Sequence, residues 1–244
     1  MDAVAETKRK PFCANLGAEK IGRMSGVDAS APTVRKALDA ADFERPKRSR
    51  NTHIKRVCRK SPNDQWNIDN VQLGRDSTGK PVESLSVIDD HSRLSMSSDA
   101  TTESTTDHVI EVLEGLIEVH GKPRIIRSDH GSQWYSTIGG ECRFDAWCES
   151  KGIRHDMSSI RTPQENGKVE RYHGNLRTEV DLPAVAEPEE YSRLLDRYRH
   201  FYNNERPHWS LGLRTPIEVY NKTDIEPPDI LSEIIEASRP TAMN

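Results

Sequence analysis

Apolar residues recur at helical spacing in two short stretches near the start of the chain. Ala18, Ile21 and Met24 share one helical face, and Val34, Leu38 and Ala41 follow at i, i+4 and i+7. Gly26-Val27-Asp28 between them reads as a turn, Ser30 as an N-cap and Pro32 as a first-turn residue. Two short helices around a glycine turn form half of a helix-turn-helix or any small helical hairpin, and the pattern alone does not choose. Residues 1–14 are polar and without period, so they are expected to be frayed.

From Trp66 the period changes to two. Trp66 and Ile68 fall on one face, and Asn67, Asp69 and Val71 on the other, as in a half-buried strand. Ser77 to Pro81 is a turn, Val82 to Ile88 a second strand with Leu85 and Val87 in phase, and Asp89-Asp90-His91-Ser92 turns into a third strand, Arg93 to Ser97. Thr106 to His120 is an amphipathic helix, with Val109, Val112, Leu113, Leu116 and Ile117 along one side and Gly121 and Pro123 ending it. A strand over Arg124–Ser128, a helix over Arg143–Lys151 closed by Gly152, and a fifth strand over Ile153–Met157 come next. Two helices follow, Gly167–Glu179 and Glu189–Asn203. An antiparallel meander followed by strand–helix alternation predicts an α/β fold, a mixed five-stranded sheet flanked by helices. Residues 223–244 hold three prolines and few large apolar residues, and are expected to be a disordered tail with at most a turn of helix near Ile230–Ile235.

Composition narrows the reading. Apolar residues are 34% of the 244, so a normal core requires that part of the chain be linker or tail. The formal net charge of −4 excludes a uniformly basic nucleic-acid coat, so any DNA binding has to come from local patches. One such patch stands out: Arg45 to Lys60 carries eight basic residues and no acidic one. That density suits an arm tracking phosphates, over the alternative of a solvated linker. Pro62-Asn63-Asp64 then marks a boundary. The four cysteines, Cys13, Cys58, Cys142 and Cys148, make no C-x-x-C and no zinc-finger spacing, so reduced thiols are expected. No apolar run reaches the roughly 18 residues of a membrane span, and the N-terminus lacks the apolar stretch of a signal peptide, so the expected location is cytoplasmic.

Three carboxylates stand out by position. Asp69 lies mid-strand, where Asp is not a turn residue; Asp129 ends a strand centred on Ile125-Ile126; Glu170 sits in the first turns of a helix opened by Asn166-Gly167. If the three converge, only bound cations keep all of them ionised, and hard oxygen donors suit Mg²⁺ or Mn²⁺. Spacing alone leaves competitors: Asp89 and Asp90, whose DDHS setting is also good turn chemistry, and Glu165, in the loop before the helix.

The motifs around these residues resemble the retroviral-integrase-like transposases of bacterial insertion sequences. Trp66-Asn67-Ile68-Asp69 is similar to the W-x-x-D opening, and Asp89 to Arg93 to the D-x-x-S-R turn. Ser128 to Trp134 is similar to S-D-x-G-x-x-F/W, and Thr162 to Arg171 to the P-Q-x-N-G-x-x-E-R helix entry. Phe201 to His208 resembles Y-N-x-x-R-P-H, and Leu211-Gly212 with Thr215-Pro216 the L-x-x-x-T-P tail. The resemblance covers about residues 61–222. It implies an RNase H-like fold, a catalytic triad of Asp69, Asp129 and Glu170 holding two Mg²⁺ or Mn²⁺ ions, and DNA transposition by cleavage and strand transfer. The implied partners are double-stranded DNA, at element ends and target, and further copies of the chain assembled on it; when bound, the protein would be nucleoid-associated. The organisation it implies is a partial helix-turn-helix over 1–44, a basic arm over 45–61, a catalytic core over 62–222 and a tail over 223–244. Residues 31–38 are similar to the family's recognition helix, placing Arg35 and Lys36 on DNA.

Departures are a short N-terminus, expected to reflect a truncated binding domain, 40 residues between Asp129 and Glu170, and Gly174 inside the catalytic helix. Lys47, Arg48, Arg50, Lys55 and Arg56 of the arm, and Arg161, Lys168, Arg171 and Arg177 around the helix, are the expected phosphate contacts; a solvated helix face is the bland alternative. His130 and His208 read as structural hydrogen-bonders before ligand-orienting groups, and Trp66 and Trp134 as core. The rival functions are a decayed remnant that only binds DNA, favoured by the short N-terminus, and a plain RNase H-like nuclease, disfavoured by the Arg-Pro-His and Thr-Pro tail.

Overall fold

A computed structural model of the chain describes residues 2–43, 58–129, 137–138, 141–157 and 166–221. They divide into two units, one within Thr52–Asn203 and the other within Met1–Asn51 and Asn204–Asn244; the catalytic-core span expected from sequence, 62–222, crosses that division. The basic arm from Lys47 to Arg56, His130, Trp134, Arg161, Glu165 and the tail lie outside the described residues.

In the larger unit, strand β1 (Trp66–Arg75) lies inside the sheet. It pairs antiparallel with β2 (Pro81–Asp89) from Trp66↔Asp89 to Arg75↔Pro81, with a register shift between Gln72 and Gly74. On its other side it pairs parallel with β3 (Ile125–Ser128), which pairs parallel with β6 (Arg154–Met157), giving the order β2-β1-β3-β6. Trp66, Asn67 and Ile68 are all buried, as an interior strand requires. Strands β4 (Thr137–Ile138) and β5 (Glu141–Cys142) form a separate two-residue hairpin. Helices α4 (Thr106–His120), α5 (Arg143–Ser150), α6 (Gly167–Glu179) and α7 (Pro188–Asn204) match the periodic segments. The Thr105 hydroxyl caps α4 by accepting from the His108 amide.

The sheet among the described residues has four strands, not five. The expected third strand, Arg93–Ser97, is reduced to isolated bridges, Ile88↔Ser95 and, beyond it, Glu83↔Thr101. The two bridges differ in register by one residue, so the segment does not run on as a ladder along β2. Asn203 of α7 accepts from the Ser95 amide at 2.9 Å and donates to the Ser95 carbonyl at 2.7 Å, and the Ser192 hydroxyl accepts from the Ala100 amide at 3.0 Å. Side chains of α7 thus satisfy the outer edge of the segment, while the Met96 amide donates to the Val87 carbonyl and the Leu94 carbonyl accepts from the Asp89 amide on the β2 side.

Two contacts fix α6. Tyr172 packs edge-on against Tyr202 of α7 at 5.0 Å between ring centroids. At the other end, Lys168 Nζ lies 2.5 Å from Asp90 Oδ1, just past the end of β2. The second oxygen of Asp90 accepts from the Arg59 amide at 2.8 Å, and Oδ1 also accepts from Asn67 at 3.2 Å. Burial pushes the Asp90 carboxyl up, but Lys168, Arg59 and Asn67 outweigh it and hold it below the ordinary value. Burial, then the Arg93 charge, draws Lys168 down instead. Both groups are desolvated, and the short geometry favours the charged pair. Asp89 is likewise structural: one oxygen accepts from the Ser92 amide and hydroxyl, both at 2.7 Å, and the other from the Asn63 amide at 2.9 Å.

In the smaller unit, residues expected to be frayed form helix α1 (Asp2–Arg9). It buries Val4, Thr7 and Lys8, and Lys8 Nζ donates to the Leu16 carbonyl at 2.6 Å. One aliphatic residue and the stems of two polar ones give too thin an apolar stripe to read from sequence. Helices α2 (Ala18–Ser25) and α3 (Ala31–Ala40) follow as expected, with Gly26 left-handed at φ 64 ending α2. Ser30 holds the N-cap position without a capping bond; its hydroxyl pairs with that of Thr33 at 2.9 Å. The Thr215-Pro216 motif starts α8 (Pro216–Tyr220), where Thr215 and Glu218 form a capping box.

Asn203→Ala strips two bonds from the buried Ser95 backbone. It should cost about 2–4 kcal/mol, read as a lower urea midpoint at unchanged slope; a loss below about 0.5 kcal/mol would mean that Asn203 does not anchor this segment.

Asp90→Asn should cost about 3–5 kcal/mol at pH 7, because it leaves Lys168 without its counter-charge. The carboxyl is held low in the fold, so its stabilisation is full above its unfolded value and lost as pH falls through the folded one. The gap between parent and variant should therefore close between about pH 4 and the acid limit; a gap constant with pH would contradict the pairing.

Candidate active site

Asp69 and Asp129 are brought together by strand register. Trp66 pairs with Ile126 and Asn67 with Arg127 across β1 and β3. Continued two residues, the same parallel register sets Asp69 beside Asp129, and both fall on the sheet face of Asn67 and Arg127. Asp129 follows the last residue of β3, so the pair sits at the carboxyl edge of the parallel strands. The first turn of α6 closes on the same place: Asn166, its N-cap residue, reaches the Ile68 carbonyl at 3.5 Å, and Glu170 lies one turn further on.

The electrostatics agree. Burial pushes the Asp69 carboxyl up to about 7; the Asp129 charge, then that of Glu170, push the same way, while the Asn70 amide and Arg177 pull weakly down. Asp89 and Asp90 are engaged elsewhere, Asp89 by Ser92 and Asn63 and Asp90 by Lys168, Arg59 and Asn67. Among the described residues no three His, Cys, Asp or Glu side chains are gathered tightly enough to grip one ion. Asp69, Asp129 and Glu170 are within each other's fields without forming a closed cage.

His173, one turn beyond Glu170, is a neighbour that the sequence did not single out as part of the site. Its Nδ1 is 3.7 Å from Asp69 Oδ2, too long for a hydrogen bond. Burial and then Arg177 bring His173 down to about 4, so it is uncharged at neutral pH and no ion pair forms. Its signal lay in α6 itself: Val169, Tyr172, His173 and Leu176 are the buried stripe.

Of the cations expected on DNA, Arg171 and Arg177 are exposed on α6 and Lys36 on α3. Arg35 is shared with Glu19 at 3.3 Å. Lys168 is a correction: its ammonium is turned inward and spent on Asp90. His208 is buried, 3.4 Å from Arg206 in the smaller unit, in keeping with a structural histidine.

Two family models described as integrase core domain match the chain, over residues 59–163 and 151–216. A 39.2 kDa protein of insertion element IS476 from Xanthomonas euvesicatoria is 27% identical over 161 residues, 64% of this chain and 44% of that protein. A 31.7 kDa protein of insertion element IS407 from Burkholderia multivorans is 25% identical over 159 residues, 65% of this chain and 55% of that one. The chain thus spans about half the length of these relatives. In fold it is similar to a chain of the simian T-cell lymphotropic virus intasome in complex with PP2A regulatory subunit B56 gamma. The TM-score is 0.54 at 19% identity, covering 87% of this chain and 73% of that one. The two matched segments run without a break through both strands and the helix that carry the acidic residues, and the chain belongs to the integrase core domain family.

Proposed function

We propose that the chain is the catalytic part of an insertion-sequence transposase, a polynucleotidyl transferase that cuts DNA at the element ends and joins the freed 3′-hydroxyl to target DNA. Asp69, Asp129 and Glu170 are its catalytic carboxylates. The observation that carries this reading is the electrostatic coupling of Asp69 to Asp129 and Glu170, at the carboxyl edge of two parallel strands. A half-buried carboxyl drawn to about 7 is only partly ionised near neutral pH, and a cation would offset its neighbours.

The donor set fits a hard divalent ion, Mg²⁺ or Mn²⁺, because all three side chains offer anionic oxygen. Two such ions, when bound, supply Lewis-acid stabilisation of the attacking and leaving oxygens of a phosphodiester. The residues around them do the rest. His173, kept uncharged by burial, adds no competing cation beside Asp69. Arg177, two turns beyond Glu170 on α6, is placed to hold a DNA phosphate near the carboxylates. Arg171 extends that contact, and Arg161 joins it. Helices α2 and α3 serve as part of a helix-turn-helix with Arg35 and Lys36 toward DNA, and Lys47, Arg48, Arg50, Lys55 and Arg56 form a phosphate-tracking arm. The substrate is double-stranded DNA, engaged by more than one copy of the chain at the nucleoid.

Asp129→Asn should abolish Mg²⁺- or Mn²⁺-dependent cleavage and joining of oligonucleotides carrying the element's own ends. Duplex binding and the metal-free melting temperature should stay near parental, because Asn is nearly isosteric and removes a repulsion. Full activity in the variant would sink the three-carboxylate mechanism. A parent that binds duplex but neither cuts nor gains stability with Mg²⁺ would favour a DNA-binding remnant.

Replacing Lys47, Arg48, Arg50, Lys55 and Arg56 together by Ala in the full chain should weaken duplex binding and flatten the log–log salt slope by about 4. An unchanged slope would remove the arm from the DNA contact.

A further inference from the structure

A chain of hydrogen bonds runs from the surface of α5 to the backbone of Asp129. Asp145 Oδ1 bonds His155 Nδ1. The opposite ring nitrogen, Nε2, is 2.8 Å from the Ser128 hydroxyl, and that hydroxyl donates to the Asp129 carbonyl at 3.0 Å. The links join α5, β6 and β3, and they gather residues 10 and 27 positions apart in sequence, so no local spacing announces them. The His155 side chain is 5% exposed, and the edge of its ring is set against Phe144 at 4.8 Å between centroids. Asp145 is about half exposed.

The residue types are those of a hydrolase triad, but the arrangement is not one. Ser128 is fully buried, and its hydroxyl is engaged with a backbone carbonyl instead of facing a cleft. What the chain reaches is the peptide of a proposed metal ligand. Ser128 is the last residue of β3 and pairs with Met157 of β6, so Asp129 stands just past the end of that ladder. A hydroxyl held by His155 gives the Asp129 carbonyl a fixed donor there. The Ser128 hydroxyl thus stands within hydrogen-bond reach of both His155 Nε2 and the Asp129 carbonyl and links the two.

We propose that His155, oriented by Asp145 and acting through Ser128, is a positioning residue for Asp129. It fixes the peptide from which that carboxylate projects and so sets the affinity of the site for a divalent ion. The inference rests on the reading of Asp129 as a metal ligand, and the test separates the two.

The measurement is Mn²⁺ binding to the full-length chain, followed by the loss of the free-ion paramagnetic resonance signal, with metal-free melts in parallel. Asp145→Ala and His155→Gln should each weaken Mn²⁺ binding by about tenfold, the usual effect of removing an outer-shell partner. Their melting temperatures should stay close to parental. Asp145→Asn keeps an acceptor for His155 Nδ1 and should restore most of the affinity. Asp145 is exposed, so Asp145→Ala decides the matter even if substitution at His155 prevents folding. Parental Mn²⁺ affinity in Asp145→Ala, while Asp129→Asn abolishes binding, would overturn the positioning role and leave the carboxylate site standing. Affinity lost only in step with melting temperature would also overturn it, as a structural role. A parent that binds no Mn²⁺, or an Asp129→Asn variant that binds as the parent does, would remove Asp129 from the metal site and the proposal with it.

Discussion

Two carboxylates, Asp69 on β1 and Asp129 just past the end of the parallel strand β3, repel each other, and the larger unit of this protein is organised around holding them there. The register Trp66↔Ile126 and Asn67↔Arg127 leaves Asp69 and Asp129 no choice of side: residues of equal parity on paired strands face the same way. A one-residue slip would send one carboxylate to the opposite face and relieve the repulsion at once. The register must therefore be fixed from elsewhere, and Trp66, at the first pair, does much of this. It is fully buried, and its indole donates to Asn63 at 2.9 Å.

The third carboxylate is placed by a different device. Glu170 sits on a helix whose first turn is tied down on its flank. Lys168 is bound to Asp90 and Asn166 reaches Ile68, so the N-terminus of α6 meets both β1 and the end of β2. A buried ion pair is a poor source of net stability, since desolvation consumes most of the attraction. Its value here lies in orientation. Lys168 and Glu170 are two residues apart and point to different sides of the helix, so fixing one aims the other. The Tyr172–Tyr202 contact then holds the next turn against α7.

Local periodicity and motif order carried far into this fold. Helices α4, α6 and α7, the strands β1, β2, β3 and β6, and the turn role of Asp89 were legible because each rests on residues close in sequence. Three features were not. The strand after Ser92 is broken by a one-residue change of register between its two bridges and is held on its outer edge by Asn203 and Ser192, each about a hundred residues away, which no window could contain. Helix α1 shows too little apolar surface to register. Lys168 reads as an exposed cation at a helix start, and only its distance to Asp90 reveals an internal partner. The acidic site stands between these cases. Its members were named from motif order, but their shared face is a consequence of register, which spacing along one strand does not contain.

The carboxylates stand near one another without closing. Asp69 and Asp129 are half-buried and Glu170 is exposed, so solvent reaches all three; β1 and the end of β3 fix where two of them start, and the helix fixes the third. Burial around Asp69 raises its carboxyl to about 7, so near neutral pH its proton is held in part. Preorganisation of the three carboxylates thus resides in the backbone and in the groups that hold it.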